Sequence, residues 1–245
     1  MTEAEITRFA CLCDEEATAE GGQFGIGTYQ EKRLHRVLKR FYSEDEAQTE
    51  VSVGSYVADV KRGSEIVEIQ TGSFYPLTAK LRYYLEQTDC HVTLVHPIFA
   101  EHMILRMDKE TGELLRQRKT SRAGRVTDLL PELYWIRELI PNDRLTVRLL
   151  LLRVEEYRYS ERMRYRREGA YDAELFPKAI LARVDFSTLD DYEALLPEAA
   201  RFTAAEYEKQ TRLAKRTAYR ALRTLCDLGL LTRLTNGRKI VYQRA

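Results

Sequence analysis

No stretch of the 245 residues is apolar for long: the leucine run Leu149 to Leu152 is closed by Arg148 and Arg153, where a bilayer would demand roughly 20 residues. The N-terminus has no basic-then-apolar export signal, so residence in the cytoplasm is expected and a membrane partner is not. Cysteine is scarce too. Cys11, Cys13, Cys90 and Cys226 are too scattered for a disulfide framework, and no CxxC or HExxH marks a zinc site. Glycine is sparse except at Gly22, Gly25 and Gly27, and without GxxxxGK[ST] or a full GxGxxG these argue against nucleotide binding. They fit a tight turn ahead of a helix. What remains is a globular composition, 44% hydrophobic and 10% aromatic, with 39 Lys+Arg against 38 Asp+Glu.

That charge balance hides an asymmetry. Residues 202–245 hold ten Lys+Arg and three Asp+Glu, a net of +7, which leaves the first 201 residues at −6. Composition divides the chain into a flexible acidic leader (1–24), a main body (25–160), a linker or extension (161–200) and a basic tail (201–245). Within the body, Leu34, Val37, Leu38 and Phe41 follow helical spacing, as do Leu77, Leu81, Tyr84 and Leu85. His35, one turn after Glu31, reads as an ordinary residue on the first helix's surface, with a phosphate contact as its sharper alternative. Strands are expected over residues 50–60, 65–71, 91–97, 103–107, 113–118 and 145–157, and a helix containing Tyr134 and Trp135 over 126–139. A mixed α/β (α+β) sheet with helices packed on it is the economical architecture.

Lys61-Arg62-Gly63-Ser64 reads as a tight hairpin turn. A two-residue Gly63-Ser64 loop sets a register in which paired residue numbers sum to 127, placing Asp59 across from Glu68. Alternation then puts Asp59, Lys61, Glu68 and Gln70 on one face and Ala58, Val60, Val67 and Ile69 on an apolar one. Opposed like charges cost a few tenths to about 1 kcal/mol, and a divalent cation such as Mg²⁺ would offset that. The bland alternative is a solvated face on which Lys61 neutralises both acids. A further parse, Glu50 with Asp59-Val60-Lys61, puts the key pair before the turn and fits poorly.

Asp59, the turn and Glu68-Ile69-Gln70 resemble the signature of the PD-(D/E)xK (restriction-endonuclease-like) nucleases, in the variant with Gln where Lys is usual. The order helix, strands, helix, strand over residues 25–100 is similar to that superfamily's core. The resemblance implies a hydrolase using Mg²⁺ or Mn²⁺, with Asp59 and Glu68 as metal ligands and the Ile69 carbonyl as a third. It also implies Glu31 as an additional acidic residue, Gln70 in a positioning role, and Lys80 as the source of positive charge, with Lys61 its rival. The segments VADVKRGSEIVEIQTGSF, HVTLVHPI and TVRLLLLRVEEYR resemble a group of uncharacterised bacterial proteins that carry a C-terminal winged helix.

In the tail, Thr203 and Glu206 form a capping-box pattern and a second helix spans 214–228, with Ala218, Ala221, Leu222 and Leu225 inward and Gly229 as C-cap. Asn236-Gly237 then turns a hairpin. Two helices and a basic hairpin read as a winged helix-turn-helix that docks on DNA through Lys215, Arg216, Tyr219, Arg220, Arg223, Arg238 and Lys239. The Tyr/Arg-rich run 157–171 reads as hairpin edge or linker, with nucleic-acid stacking as its sharper alternative. The expected function is a metal-dependent DNA endonuclease, with a non-catalytic DNA-binding regulator as the alternative and a scaffold whose tail binds protein as a third reading. DNA is the expected partner, and a second copy of the chain is also admitted.

Overall fold

A computed structural model describes residues 1–18, 29–121, 123–160, 172–237 and 239–245. Gly22, Gly25, Gly27, Arg238 and residues 161–171 of the Tyr/Arg run lie outside the described residues, as does the side chain of Glu31. Seven strands form one mixed sheet: β1 (Thr49–Val53), β2 (Tyr56–Arg62), β3 (Glu65–Ile69), β4 (His91–Asp108), β5 (Leu114–Lys119), β6 (Leu145–Ser160) and β7 (Asp172–Phe186). Their order is β1-β2-β3-β4-β6-β7, with β5 on β4. β3, β4 and β6 run parallel to one another, and the remaining pairs are antiparallel.

Helices cover both faces of the sheet. On one side, α1 (Glu3–Thr18) and α2 (Tyr29–Tyr42) bury Phe9, Leu12, Leu34, Val37 and Leu38 against Val60, Val67, Ile69, Val95 and Leu150. On the other, α3 (Thr78–Gln87) and α4 (Leu130–Ile136) bury Leu81, Tyr84, Leu130 and Leu133 against Ala58, Ile66, Leu94 and Val147. Fully burying one such side chain contributes on the order of 1.5–3 kcal/mol.

Two segments depart from the expected division of the chain. The supposed flexible leader is helical over Glu3–Thr18, because Phe9, Leu12 and Cys13 make a short apolar stripe and the buried Glu16 receives the Arg36 guanidinium. The supposed linker supplies β7, whose residues pair with β6 along most of its length. The segment expected as one strand, 50–60, is two, turned at Gly54. Its φ of +58° suits glycine, and a Cβ there would fall 1.8 Å from the Tyr83 hydroxyl. Gly54→Ala is therefore expected to cost about 1–3 kcal/mol, read as a lowered urea midpoint.

The tail builds β8 (Arg201–Phe202), α5 (Ala204–Thr211), α6 (Lys215–Asp227), β9 (Leu231–Asn236) and β10 (Lys239–Arg244). The three strands form a second sheet in the order β8-β10-β9. The capping box forms as its residues suggest: Thr203 Oγ1 accepts from the Glu206 amide and Glu206 accepts from the Thr203 amide. Ala218, Ala221, Leu222 and Leu225 are buried, and they join the core that also contains Leu129, Leu130 and Leu133 of the body. Body and tail thus share one core, sealed where α6 packs on α4.

Candidate functional site

The β2–β3 hairpin has the expected register: Arg62 pairs with Glu65, Lys61 with Ile66 and Val60 with Val67. Beyond Val60 the strands part. The Asp59 carboxylate, rather than its backbone, receives the Ile69 N–H (2.9 Å), which turns the Ile69 carbonyl toward α2. Face alternation breaks at the same place. Ala58 packs with Ile66 and Tyr84, whereas Val60 packs with Val67 and Ile69 on the α2 side. The expectation of one exposed polar face and one apolar core face therefore fails, because helices close both sides.

Each acid is met from a different helix. On α2, His35 Nε2 lies 3.2 Å from Asp59 Oδ2 and 3.1 Å from the Ile69 carbonyl oxygen. Both partners are acceptors, so Nε2 carries the proton and donates to them. Lys39, one turn further along α2, places Nζ 3.3 Å from Asp59 Oδ1 and 2.9 Å from Glu50 Oε1. On α3, Lys80 Nζ lies 2.6 Å from Glu68 Oε2. Glu68 is only 1% exposed; its other oxygen, Oε1, is buried and makes no hydrogen bond, and neither does the buried Tyr84 hydroxyl.

These surroundings drive the two acids apart in acidity. Burial would raise Asp59, but the His35 hydrogen bond and charge, the Ile69 amide and Lys39 outweigh it and hold the carboxyl at about 2. Glu68 goes the other way. Burial, reinforced by the negative charge of Asp59, pushes it up to about 7 even with Lys80 beside it. Burial likewise raises the Tyr84 phenol, with Glu68 adding to the shift.

Asp59 and Glu68 are not the directly opposed pair that the register predicts: Asp59 meets Ile69, Glu68 meets Lys80, and the charge of Asp59 reaches Glu68. Gln70 is not aimed at the acids. Its amide donates to the Ser73 carbonyl (2.8 Å) and shapes the loop after β3, while its own carbonyl accepts from His96 Nδ1 (2.6 Å). Lys61 is no rival to Lys80, since its ammonium reaches the Gly63 carbonyl in the turn. His35 and Lys39 were missed as site residues, although their i, i+4 spacing on the polar side of α2 is the one signal that both meet the same strand. Among the described residues, no three His, Cys, Asp or Glu side chains cluster as a metal-ligand group. The oxygens where the strands part belong to two carboxylates and a main-chain carbonyl.

In the tail, Lys215, Arg216, Tyr219, Arg223 and Lys239 are exposed. Arg223 lies 3.7 Å from Asp227, which also pairs with Arg137 of the body at 3.0 Å. Arg220 departs from the expectation of an outward contact. Its guanidinium sits 5.3 Å from the Tyr134 ring and 5.2 Å from the Trp135 ring, stacked onto α4. Tyr134 and Trp135 are accordingly half-buried at this junction.

Fold and site together define a mixed α+β protein whose polar centre lies where two antiparallel strands separate between helices. The chain belongs to the family described as Domain of unknown function (DUF8091), which matches residues 32–187. The matched segment contains His35, Lys39, Asp59, Glu68, Ile69 and Lys80 and ends before the basic tail. An uncharacterised protein of Treponema pallidum (strain Nichols) is 27% identical over 154 residues, covering 61% of this chain and 60% of the relative. No solved structure matches the chain.

Proposed function

We propose that the protein is a metal-dependent phosphodiesterase of PD-(D/E)xK type that cuts DNA, with its tail acting as a winged helix that docks it there. The observation that carries this reading is the electrostatic coupling of Asp59 and Glu68 where the strands part, with the Ile69 carbonyl beside Asp59 on His35 Nε2 and one Glu68 oxygen buried without a hydrogen-bond partner. An all-oxygen set suits Mg²⁺ or Mn²⁺, and an orphaned carboxylate oxygen is what a cation would satisfy. Asp59, Glu68 and the Ile69 carbonyl would hold the ion, which when bound supplies Lewis-acid stabilisation of charge on the phosphodiester. The chain does the rest. Lys80 brings a second positive charge, held in place by Glu68, and His35 carries a proton at Nε2 beside the same oxygens. Lys215, Arg216, Tyr219 and Lys239 remain exposed for phosphates and base edges.

Calorimetric titration with Mn²⁺ tests the site directly. Uptake is expected to be tighter at pH 8 than at pH 6, because Glu68 must lose its proton to act as a ligand, and to vanish in Asp59→Ala. Absence of heat at both pH values would remove the metal from the proposal. That outcome would favour a second reading, a DNA-binding regulator with a nuclease-like body, which also has an observation behind it: His35, Lys39 and Lys80 already contact the two acids from within the chain.

A further inference from the structure

All six residues of β5 are exposed, and one edge of the strand pairs with β4. Three of them, Arg116, Arg118 and Lys119, are basic and none is acidic. Register extends this charge across the sheet. Arg116 lies directly opposite Arg106 on β4, and Arg106 is directly opposite Arg158 on β6. Neighbouring strands are about 4.8 Å apart and same-face residues about 6.8 Å apart along a strand. The row Arg116–Arg106–Arg158 therefore spans about 10 Å, with Arg118 one step along the same face.

Like charges placed directly opposite each other destabilise a strand pair, so a partner of opposite sign should accompany such a row. Three nearby acids among the described residues are committed. Glu156 serves Arg158 at 2.6 Å and His102 at 2.8 Å, Glu101 is bound by Arg153 at 2.6 Å with Lys119 close by, and Asp108 caps the β4–β5 turn through the Glu110 and Thr111 amides. Arg106 and Lys109 have contacts of their own. Arg116 and Arg118 make no ion pair with any described residue. Charge on an edge strand also discourages pairing with other chains, but either sign would serve that purpose; the uniform sign and the aligned row call for a polyanion.

We propose that this basic β-edge is a second nucleic-acid surface, which lets the family domain grip the phosphate backbone of duplex DNA independently of the tail. The inference rests on the DNA part of the proposed function and extends it to a surface inside the segment shared with the family. Fluorescence anisotropy of the full chain on a short labelled duplex of mixed sequence, with EDTA present, separates it from any question of cleavage. Arg116→Glu/Arg118→Glu is expected to weaken binding at least about tenfold and to lower the slope of log K against log salt by about 2, at roughly 0.9 per lost phosphate contact. Arg116→Ala/Arg118→Ala provides the same slope change should the reversal unfold, which thermal melting reports. Binding and slope unchanged by these substitutions, yet lost in Lys215→Glu/Arg216→Glu, would overturn the proposal and leave the edge to a protein partner. Failure of the unmodified chain to bind duplex would overturn both surfaces.

Discussion

Plasmid nicking with Mn²⁺ should fall on the order of 10³-fold in Asp59→Ala and in Glu68→Ala, and about 10²-fold in Lys80→Ala. The grading follows from position. Asp59 and Glu68 are the two electrostatically coupled acids at the end of the hairpin, and either alone leaves the proposed ligand set half built. Lys80 contributes charge without being a ligand, so its loss should lower the rate while Mn²⁺ uptake persists. Combining Asp59→Ala with Glu68→Ala should cost little more than either alone, as expected of residues that act as one unit. Nicking that survives unchanged in both acid variants would sink the catalytic reading, and anisotropy on duplex DNA would then show whether docking stands by itself.

Opposite stability changes are expected from neutralising the same two acids. Asp59 is held at about 2 against an ordinary value of 3.8, so its contribution is present above pH 3.8 and is lost as pH falls through 2. Asp59→Asn should therefore cost on the order of 2 kcal/mol at pH 7. Glu68 is raised from 4.5 to about 7, so the fold favours its protonated form. The stability this brings is complete below pH 4.5 and is lost as pH rises through 7, where the buried, ionised carboxylate becomes a burden on the order of 3 kcal/mol. Glu68→Gln imitates the protonated form. It should stabilise the protein at pH 8 by about 1–3 kcal/mol and leave it nearly unchanged near pH 4.5, whereas Asp59→Asn destabilises it throughout the neutral range. Urea titrations at the two pH values read both signs. The same sign for the two variants at pH 8 would contradict the electrostatics inferred for the site. The pattern matches what a site built for function does, giving up stability where a charge is kept ready.

Local rules read these features well where neighbours in sequence decide the outcome. The Gly63-Ser64 turn set the hairpin register, the stripes on α2 and α3 announced their buried faces, and Thr203 with Glu206 and Asn236-Gly237 marked the tail's first helix and its hairpin. Legibility ended where long-range partners decide. Alternation along β2 predicts that Ala58 and Val60 face the same way, but Asp59 takes a ladder position with its side chain and the strand switches sides. His35 looked like surface because its spacing from Lys39 is the only local hint of the carboxylate and the carbonyl that it meets. The acidic composition of the leader suggests a flexible segment, yet Glu16 within it is buried with the Arg36 guanidinium opposite it. Arg220 read as outward on its own helix, and only the packing of α6 on α4 supplies the rings that hold it.

That last contact has a geometric corollary. With Arg220 seated on Tyr134 and Trp135, Arg137 tied to Asp227 and one core running through both parts, the tail is not a hook on a flexible string. The hairpin carrying the two acids is held at a constant distance from α6, and so from any partner that α6 would take. A scission chemistry mounted this way would act as a ruler, leaving breaks at a uniform offset from the docked sequence instead of a spread of positions.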